Sequence, residues 1–77
     1  MSIAKDNEWN EHDSGHIART KYNPMEHAMD VEFHNGSVYR YHGVPPLEYK
    51  QFLAAASQGQ HHADFIKSNY AVKKIKS

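Results

Sequence analysis

Apolar and polar residues alternate along the stretch that contains Met29, Val31 and Phe33. This period of two predicts a half-buried strand. The Asn35-Gly36 pair that follows is the strongest short signal for a hairpin turn. Val38–His42 then reads as the return strand, and the glycine and prolines that follow it end the element.

The turn allows two registers for this hairpin. A two-residue loop would pair Phe33 with Val38, whereas a three-residue loop with a left-handed Gly36 would pair Phe33 with Ser37. Only the second register puts both tyrosines of the return strand on the apolar face of its partner. Because the register that buries more apolar surface should win, we expect the three-residue loop.

The remaining pattern predicts one strand before the hairpin and two short helices after it. The first strand covers Ile17–Tyr22 and ends at a turn-forming Asn-Pro pair. The first helix covers Leu47–Ala56, and Ser57 caps the second. This order predicts an α+β fold, a three-stranded antiparallel sheet followed by two short helices packed on one face.

Helical spacing also predicts which side chains of these elements face the core. On the first helix they form the stripe Tyr49, Phe52, Leu53 and Ala56, and on the second they are His62, Phe65 and Ile66. Tyr70 and Val72 are expected to close the core.

Length and charge suggest one small domain with a flexible segment at each end. The chain has 77 residues and no cysteine, so a disulfide or a thiolate metal site is excluded. Residues 1–13 carry a net charge of −3 and residues 60–77 a net charge of +3. We expect a flexible acidic arm over 1–15, a single domain over 16–72 and a basic tail over 73–77.

Without a membrane-spanning run or a signal-peptide pattern, a cytoplasmic location is expected.

Several short motifs follow one another in a fixed order over about residues 14–70. They are Ile17, Tyr22-Asn23-Pro24, Val31-Glu32-Phe33, Asn35-Gly36, Val38-Tyr39-Arg40-Tyr41, Val44-Pro45, Tyr49, Ala56-Ser57 with Gly59, and Ile66-Lys67 with Tyr70. Together they resemble the KTSC domain, a small domain found at the C-terminus of some lysyl-tRNA synthetases and as free-standing bacterial and phage-type proteins.

This resemblance implies a small fold without established catalytic residues, and it suggests RNA or protein binding. The chain departs from the usual family pattern at two places. His61-His62 stand where aromatic residues are usual, and Lys67 stands where arginine is usual.

The candidate binding residues combine aromatic and basic side chains, a pattern that can stack unpaired bases and hold phosphates. They are Tyr39, Arg40 and Tyr41 on the return strand, with Lys67, Lys73 and Lys74 further along the chain. The alternative is that both tyrosines belong to the core, that Arg40 covers the opposite face and that the lysines form a solvated tail.

We therefore expect a small non-catalytic module that binds RNA weakly and acts as a monomer without a cofactor. The alternative function is a protein-interaction module, an adaptor or inhibitor of a larger enzyme that could be encoded by a phage. In that case the sheet edge or the Tyr49–Phe52 side of the first helix would dock the partner.

Metal binding and catalysis receive little support from the sequence. Of the seven histidines, His12 and His16 have an i, i+4 spacing, but Gly15 and the polar context argue against a helix there. No HExxH-like pattern occurs, and we expect the histidines to be solvated. The serines lack a nucleophile elbow, and the four glycines lie too far apart to form a phosphate loop. No catalytic residue and no metal ligand are predicted.

Overall fold

Five strands form an antiparallel sheet whose spatial order follows the chain, in a computed structural model that describes residues 8–76. The helices lie between the fourth strand and the fifth. The elements are β1 (Asn10–Glu11), β2 (Ile17–Asn23), β3 (Ala28–Phe33), β4 (Val38–His42), α1 (Pro46–Ala54), α2 (Gln58–His61), a π-helical segment (His62–Ile66) and β5 (Ala71–Lys76). The α+β class is confirmed, and the expected number of three strands is wrong.

One additional strand, β1, lies in the segment that was expected to be an arm, and the other, β5, begins at the end of the expected domain and continues through most of the expected tail. Asn10 pairs with Thr20 on β2, and β5 pairs with β4 along its whole length. A two-residue strand is too short to show a period. A bulge in the β4–β5 pairing and three lysines hide the alternation of β5. Residues 1–7 of the expected arm lie outside the described part of the chain.

The β3–β4 hairpin has the predicted three-residue loop. Val31 lies opposite Tyr39, and Met29 lies opposite Tyr41. The amide of Phe33 donates a 2.9 Å hydrogen bond to the carbonyl of Ser37, and Gly36 has a φ of +92°. Both tyrosines therefore share the apolar face of β3, as the burial argument predicted.

Helix α1 packs on this same face and forms one wall of the core. Pro46 occupies its first turn, where no amide donor is needed. Tyr49 and Phe52 are buried, so this side of the helix offers no docking surface. Of the two docking sites that the sequence suggested for a protein partner, the helix side is therefore ruled out and the sheet edge remains. Leu53 is partly buried at the rim of the core, and Ala56 is exposed.

The second helix begins at the predicted cap and then widens into a π-helical turn. The hydroxyl of Ser57 accepts a hydrogen bond from the amide of Gln60. In the π-helical segment the amide of Lys67 donates to the carbonyl of His62, an i→i+5 bond. His62 and Ile66 are buried, whereas Phe65 is 52% exposed. The prediction that Phe65 faces the core is wrong because the wider turn rotates it outwards.

The core consists of apolar side chains from the sheet and from the helical region. Its fully buried members are Ile17, Met29, Val31, Val44, Phe52 and Ile66. Tyr70 packs against this cluster, as expected. Val72 was also expected to close the core, but it is 47% exposed because it belongs to the edge strand β5.

A chain of polar side chains joins β1 and its neighbour His12 to the helical layer. The ring of His12 and the hydroxyl of Thr20 lie 2.6 Å apart, and Thr20 also bonds to the hydroxyl of Tyr49 at 2.9 Å. The amide of Asn10 donates to the same tyrosine oxygen at 3.3 Å. Burial lowers the pKa of His12, which favours the neutral form of its ring within this hydrogen-bond network.

Replacing Gly36 with alanine should destabilise the protein by about 1 kcal/mol, because alanine tolerates a positive φ poorly. A Cβ atom at this position would meet nothing within 4 Å, so the loss would reflect backbone strain alone. Gly36→Asn is the matched control, because asparagine adopts this conformation more readily. Urea unfolding measures both variants. An alanine variant as stable as the parent would contradict the left-handed turn.

Candidate nucleic-acid interface

The strand registers distribute five of the six predicted binding residues over two faces of the sheet. Tyr39 and Tyr41 lie on the inner face, and Arg40 between them lies on the outer face. On β5, Lys73 is opposite Arg40 and Lys74 is opposite Tyr39. The predicted residues therefore do not form one surface: Arg40 and Lys73 are separated from the two tyrosines and Lys74.

The arginine of the outer face is held by a buried carboxylate. Arg40 donates two hydrogen bonds to Asp30, at 2.8 Å and 3.0 Å, and Lys21 lies 3.9 Å from the same carboxylate. This hydrogen bonding, together with the charge of Asp30, raises the pKa of Arg40. The Arg40–Asp30 pair covers the outer face of the sheet, which agrees with the alternative prediction that Arg40 covers the face opposite the core.

Trp9 packs against Arg19 and against Lys21, next to the Arg40–Asp30 ion pair. The guanidinium of Arg19 is 4.4 Å from the centre of the indole ring, and the ammonium of Lys21 is 4.9 Å from it. Arg19 also bonds to Glu32. These contacts hold the N-terminal side of the chain against the sheet. On the outer face, Arg19, Lys21 and Arg40 therefore already have partners.

The inner face contains a pocket of about 400 Å³ with an aromatic lining. Phe33, Tyr39, Tyr41, His62 and His16 contribute rings to it, and Lys67 lies on its wall. Tyr41 is buried, whereas Phe33 and Tyr39 are half-buried. We call this site the aromatic pocket. Its volume falls in the range that binds small organic groups.

The rings of the aromatic pocket pack edge to face and hold one another in place. The centres of Phe33 and Tyr39 are 5.7 Å apart at an angle of 80°, and those of Phe33 and His62 are 5.4 Å apart at 72°. His62 also contacts Tyr41 at 5.3 Å. This arrangement leaves the half-buried rings of Phe33 and Tyr39 available to a planar ligand.

A hydrogen bond between two neutral side chains forms the inner wall of the pocket. The hydroxyl of Tyr41 and Nε2 of His62 are 2.7 Å apart. Burial lowers the pKa of His62 to about 4, with smaller contributions from the charges of Lys67 and His61. Burial, and to a lesser extent Tyr39, raises the pKa of Tyr41 to about 12. Both groups are therefore uncharged at neutral pH.

Two lysines place positive charge at the mouth of the aromatic pocket. Lys67 follows the π-helical segment, and the ammonium of Lys74 lies 5.7 Å from the centre of the Tyr39 ring. Both are exposed, and within residues 8–76 neither has a carboxylate at ion-pair distance. Three of the six predicted residues thus line the pocket, namely Tyr39, Tyr41 and Lys67, and Lys74 lies beside it over the Tyr39 ring.

Sequence reasoning missed Phe33 and His62 as members of this site. Phe33 was assigned to the core by its alternation, and that pattern cannot distinguish a core position from a pocket wall. His62 carried a signal, because it stands where the KTSC pattern usually has an aromatic residue. An imidazole keeps a flat ring at this position and adds a bond to Tyr41.

The expectation that the histidines are solvated is wrong for three of them. His62 bonds to Tyr41, His12 to Thr20, and His61 to Glu48 at 2.7 Å. Glu48 also accepts a hydrogen bond from Tyr70, so it joins α1 to the segments that follow. In the described part of the chain, no three histidine or carboxylate side chains are grouped so that they could hold a metal ion.

A family model described as the KTSC domain matches residues 13–70. The chain belongs to the KTSC domain family. The resemblance seen in the sequence is thereby confirmed. The matched range contains Phe33, Tyr39, Tyr41, His62 and Lys67 of the aromatic pocket, and Lys74 lies beyond it.

Proteins from several organisms are similar to this KTSC chain. A lysine–tRNA ligase from Nostoc punctiforme is 34% identical over 59 residues, which are 77% of this chain and 10% of the ligase. An uncharacterized protein from Stutzerimonas stutzeri is 37% identical over 49 residues, 64% of this chain and 69% of that protein. The KTSC chain thus spans only a tenth of the ligase.

A solved structure has the same fold. The crystal structure of a KTSC domain protein from Yersinia pestis matches with a TM-score of 0.83 and 28% sequence identity. The match covers 88% of this chain and 96% of the other. Within residues 8–76, no helix of this KTSC chain has the length and apolar character needed to cross a bilayer.

Acidification should destabilise the protein through His62. The folded chain holds the pKa of this histidine near 4, whereas an unfolded histidine titrates near its ordinary value of 6.5. Between these values the unfolded chain binds more protons, so the stabilisation present above pH 6.5 is lost as the pH falls towards 4. Allowing for solvent screening, we expect a loss of about 2 kcal/mol from this group between pH 7 and pH 4.5.

Urea unfolding at both pH values measures this loss. The matched variant is Tyr41→Phe/His62→Phe, which removes both partners of the hydrogen bond together and leaves neither unpaired. This variant should show a smaller drop in the free energy of unfolding than the parent. An equal drop would mean that His62 does not titrate as described.

Proposed function

We propose that this KTSC domain is a non-catalytic binding module that holds a base of single-stranded RNA in the aromatic pocket. The observation that carries the proposal is an aromatic lining with Lys67 on its wall and Lys74 over the Tyr39 ring, neither of which has a carboxylate at ion-pair distance among residues 8–76. The half-buried rings of Phe33 and Tyr39 offer surfaces to a base, and Lys67 and Lys74 lie where flanking phosphates would pass. Each stacked base contributes about 1–3 kcal/mol in such sites, which agrees with weak binding.

The charge state of the pocket supports a base as its occupant. A nucleobase is flat, polar at its edges and uncharged at neutral pH, so it suits a cavity whose inner wall is the neutral pair Tyr41 and His62. The hydroxyl of Tyr41 and the ring of His62 satisfy each other, so their burial leaves no demand for a charged ligand group. The phosphates instead require cations at the rim, where the exposed lysines lie.

The relationship to a lysine–tRNA ligase supports RNA as the ligand class, because the name of that relative denotes an enzyme that acts on tRNA. The matched segment is a small part of the ligase, so its catalytic activity does not enter the proposal. The serine hydroxyls of Ser14 and Ser57 accept backbone hydrogen bonds in a turn and a helix cap, which supports a structural role for both. The cytoplasmic location and the monomeric state stay predictions.

The test is a titration of the full chain with hexauridine, followed by proton–nitrogen NMR at 50 mM and 200 mM salt. We expect shifts at Phe33, Tyr39 and Lys67. Two phosphate contacts to a single strand predict that the affinity falls about sevenfold between the two salt concentrations. The variants Tyr39→Leu and Lys67→Gln should each weaken binding about three- to tenfold.

The matched control is Lys73→Gln, which removes a lysine of the same strand as Lys74 on the opposite face of the sheet. It should bind hexauridine as the parent does. A silent spectrum at millimolar hexauridine, or equal losses from Lys73→Gln and Lys67→Gln, would contradict the proposal.

A further inference from the structure

The outer edge of β5 is an open strand edge. In the sheet order β5 is terminal, and among residues 8–76 only β4 pairs with it. All six of its residues are exposed, including Val72 at 47% and Ile75 at 41%. Such an edge presents unpaired amide and carbonyl groups along its length, which can accept an additional strand.

The charge of this edge selects among partners. Lys73, Lys74 and Lys76 give three positive charges within four residues. Two copies of β5 placed edge to edge would bring these lysines against one another, so self-pairing is disfavoured, as is usual for protected edges. The same lysines would attract a strand that carries carboxylates.

A second copy of this chain offers a poor acidic strand. The acidic residues Glu8, Glu11 and Asp13 lie around β1, at the opposite side of the sheet. However, β1 contains only two residues, so its ladder would leave most of β5 uncovered. The partner that fits the whole edge is an extended acidic segment of another protein.

We propose that β5 binds an extended acidic segment of a partner protein, which adds to the sheet as a sixth strand. Backbone hydrogen bonds would supply the ladder, and Lys73 and Lys76, which share the outer face, would favour carboxylates at alternating positions of the added strand. This site is separate from the aromatic pocket except at Lys74, whose side chain also lies above Tyr39. The function of one site therefore does not depend on the other.

The probe is a capped eight-residue peptide with the repeat Glu-Val-Glu-Thr, added to the full-length chain. We expect NMR shifts centred on residues 71–76 and at least tenfold slower hydrogen exchange of the β5 amides that point away from β4. The peptide with glutamine in place of glutamate tests the charge. A peptide N-methylated at every residue keeps the charge and removes the backbone donors, and it should not slow exchange.

The double variant Lys73→Gln/Lys76→Gln tests the charge of the β5 edge. It keeps Lys74, so the aromatic pocket is left unchanged. Its affinity for the acidic peptide should fall about three- to tenfold, while its affinity for hexauridine should stay unchanged. Equal binding of the N-methylated peptide would overturn the proposal in favour of charge attraction alone. Sedimentation of a dimer with β5 amides protected before any peptide is added would overturn it in favour of a second copy.

Discussion

The register of the β3–β4 hairpin is the constraint on which the rest of the structure depends. The left-handed Gly36 makes a three-residue loop, and that loop aligns Tyr39 and Tyr41 with Val31 and Met29. A shift by one residue would move every side chain of one strand to the opposite face. The same turn thus places Tyr41 in the core, Tyr39 at the pocket and Arg40 on Asp30. The two tyrosines of β4 therefore lie on the opposite face of the sheet from the arginine between them.

The aromatic pocket exists because a buried polar pair replaces part of the core. Tyr41 and His62 satisfy each other, and burial keeps both neutral. The π-helical segment brings His62 to this position, and the chain then reaches Lys67 at the mouth. Stability and binding are therefore coupled in one place, since a proton on His62 would put a charge into the wall of the pocket.

Much of the fold could be predicted because its strongest signals are local. Alternation gave the hairpin, the burial argument gave its register, and Ser57 gave the start of α2. The edge strands were missed because β1 has two residues and the pattern of β5 is interrupted by a bulge and lysines. The site could be predicted only in part. Which residues share the pocket depends on the π-helical turn. The ordinary helix that the sequence predicts would place Phe65 against the sheet, whereas the π-helical turn leaves Phe65 exposed.

The most direct test of the central claim is an isotope-filtered NOE measurement on the complex of the labelled protein with hexauridine. The claim is that the inner face alone binds RNA, through the aromatic pocket. It predicts contacts from uracil ring protons to the side chains of Phe33 and Tyr39, and none to Trp9 or Arg40. Uracil contacts to Trp9 and Arg40 would contradict it, because they would place the RNA on the outer face of the sheet.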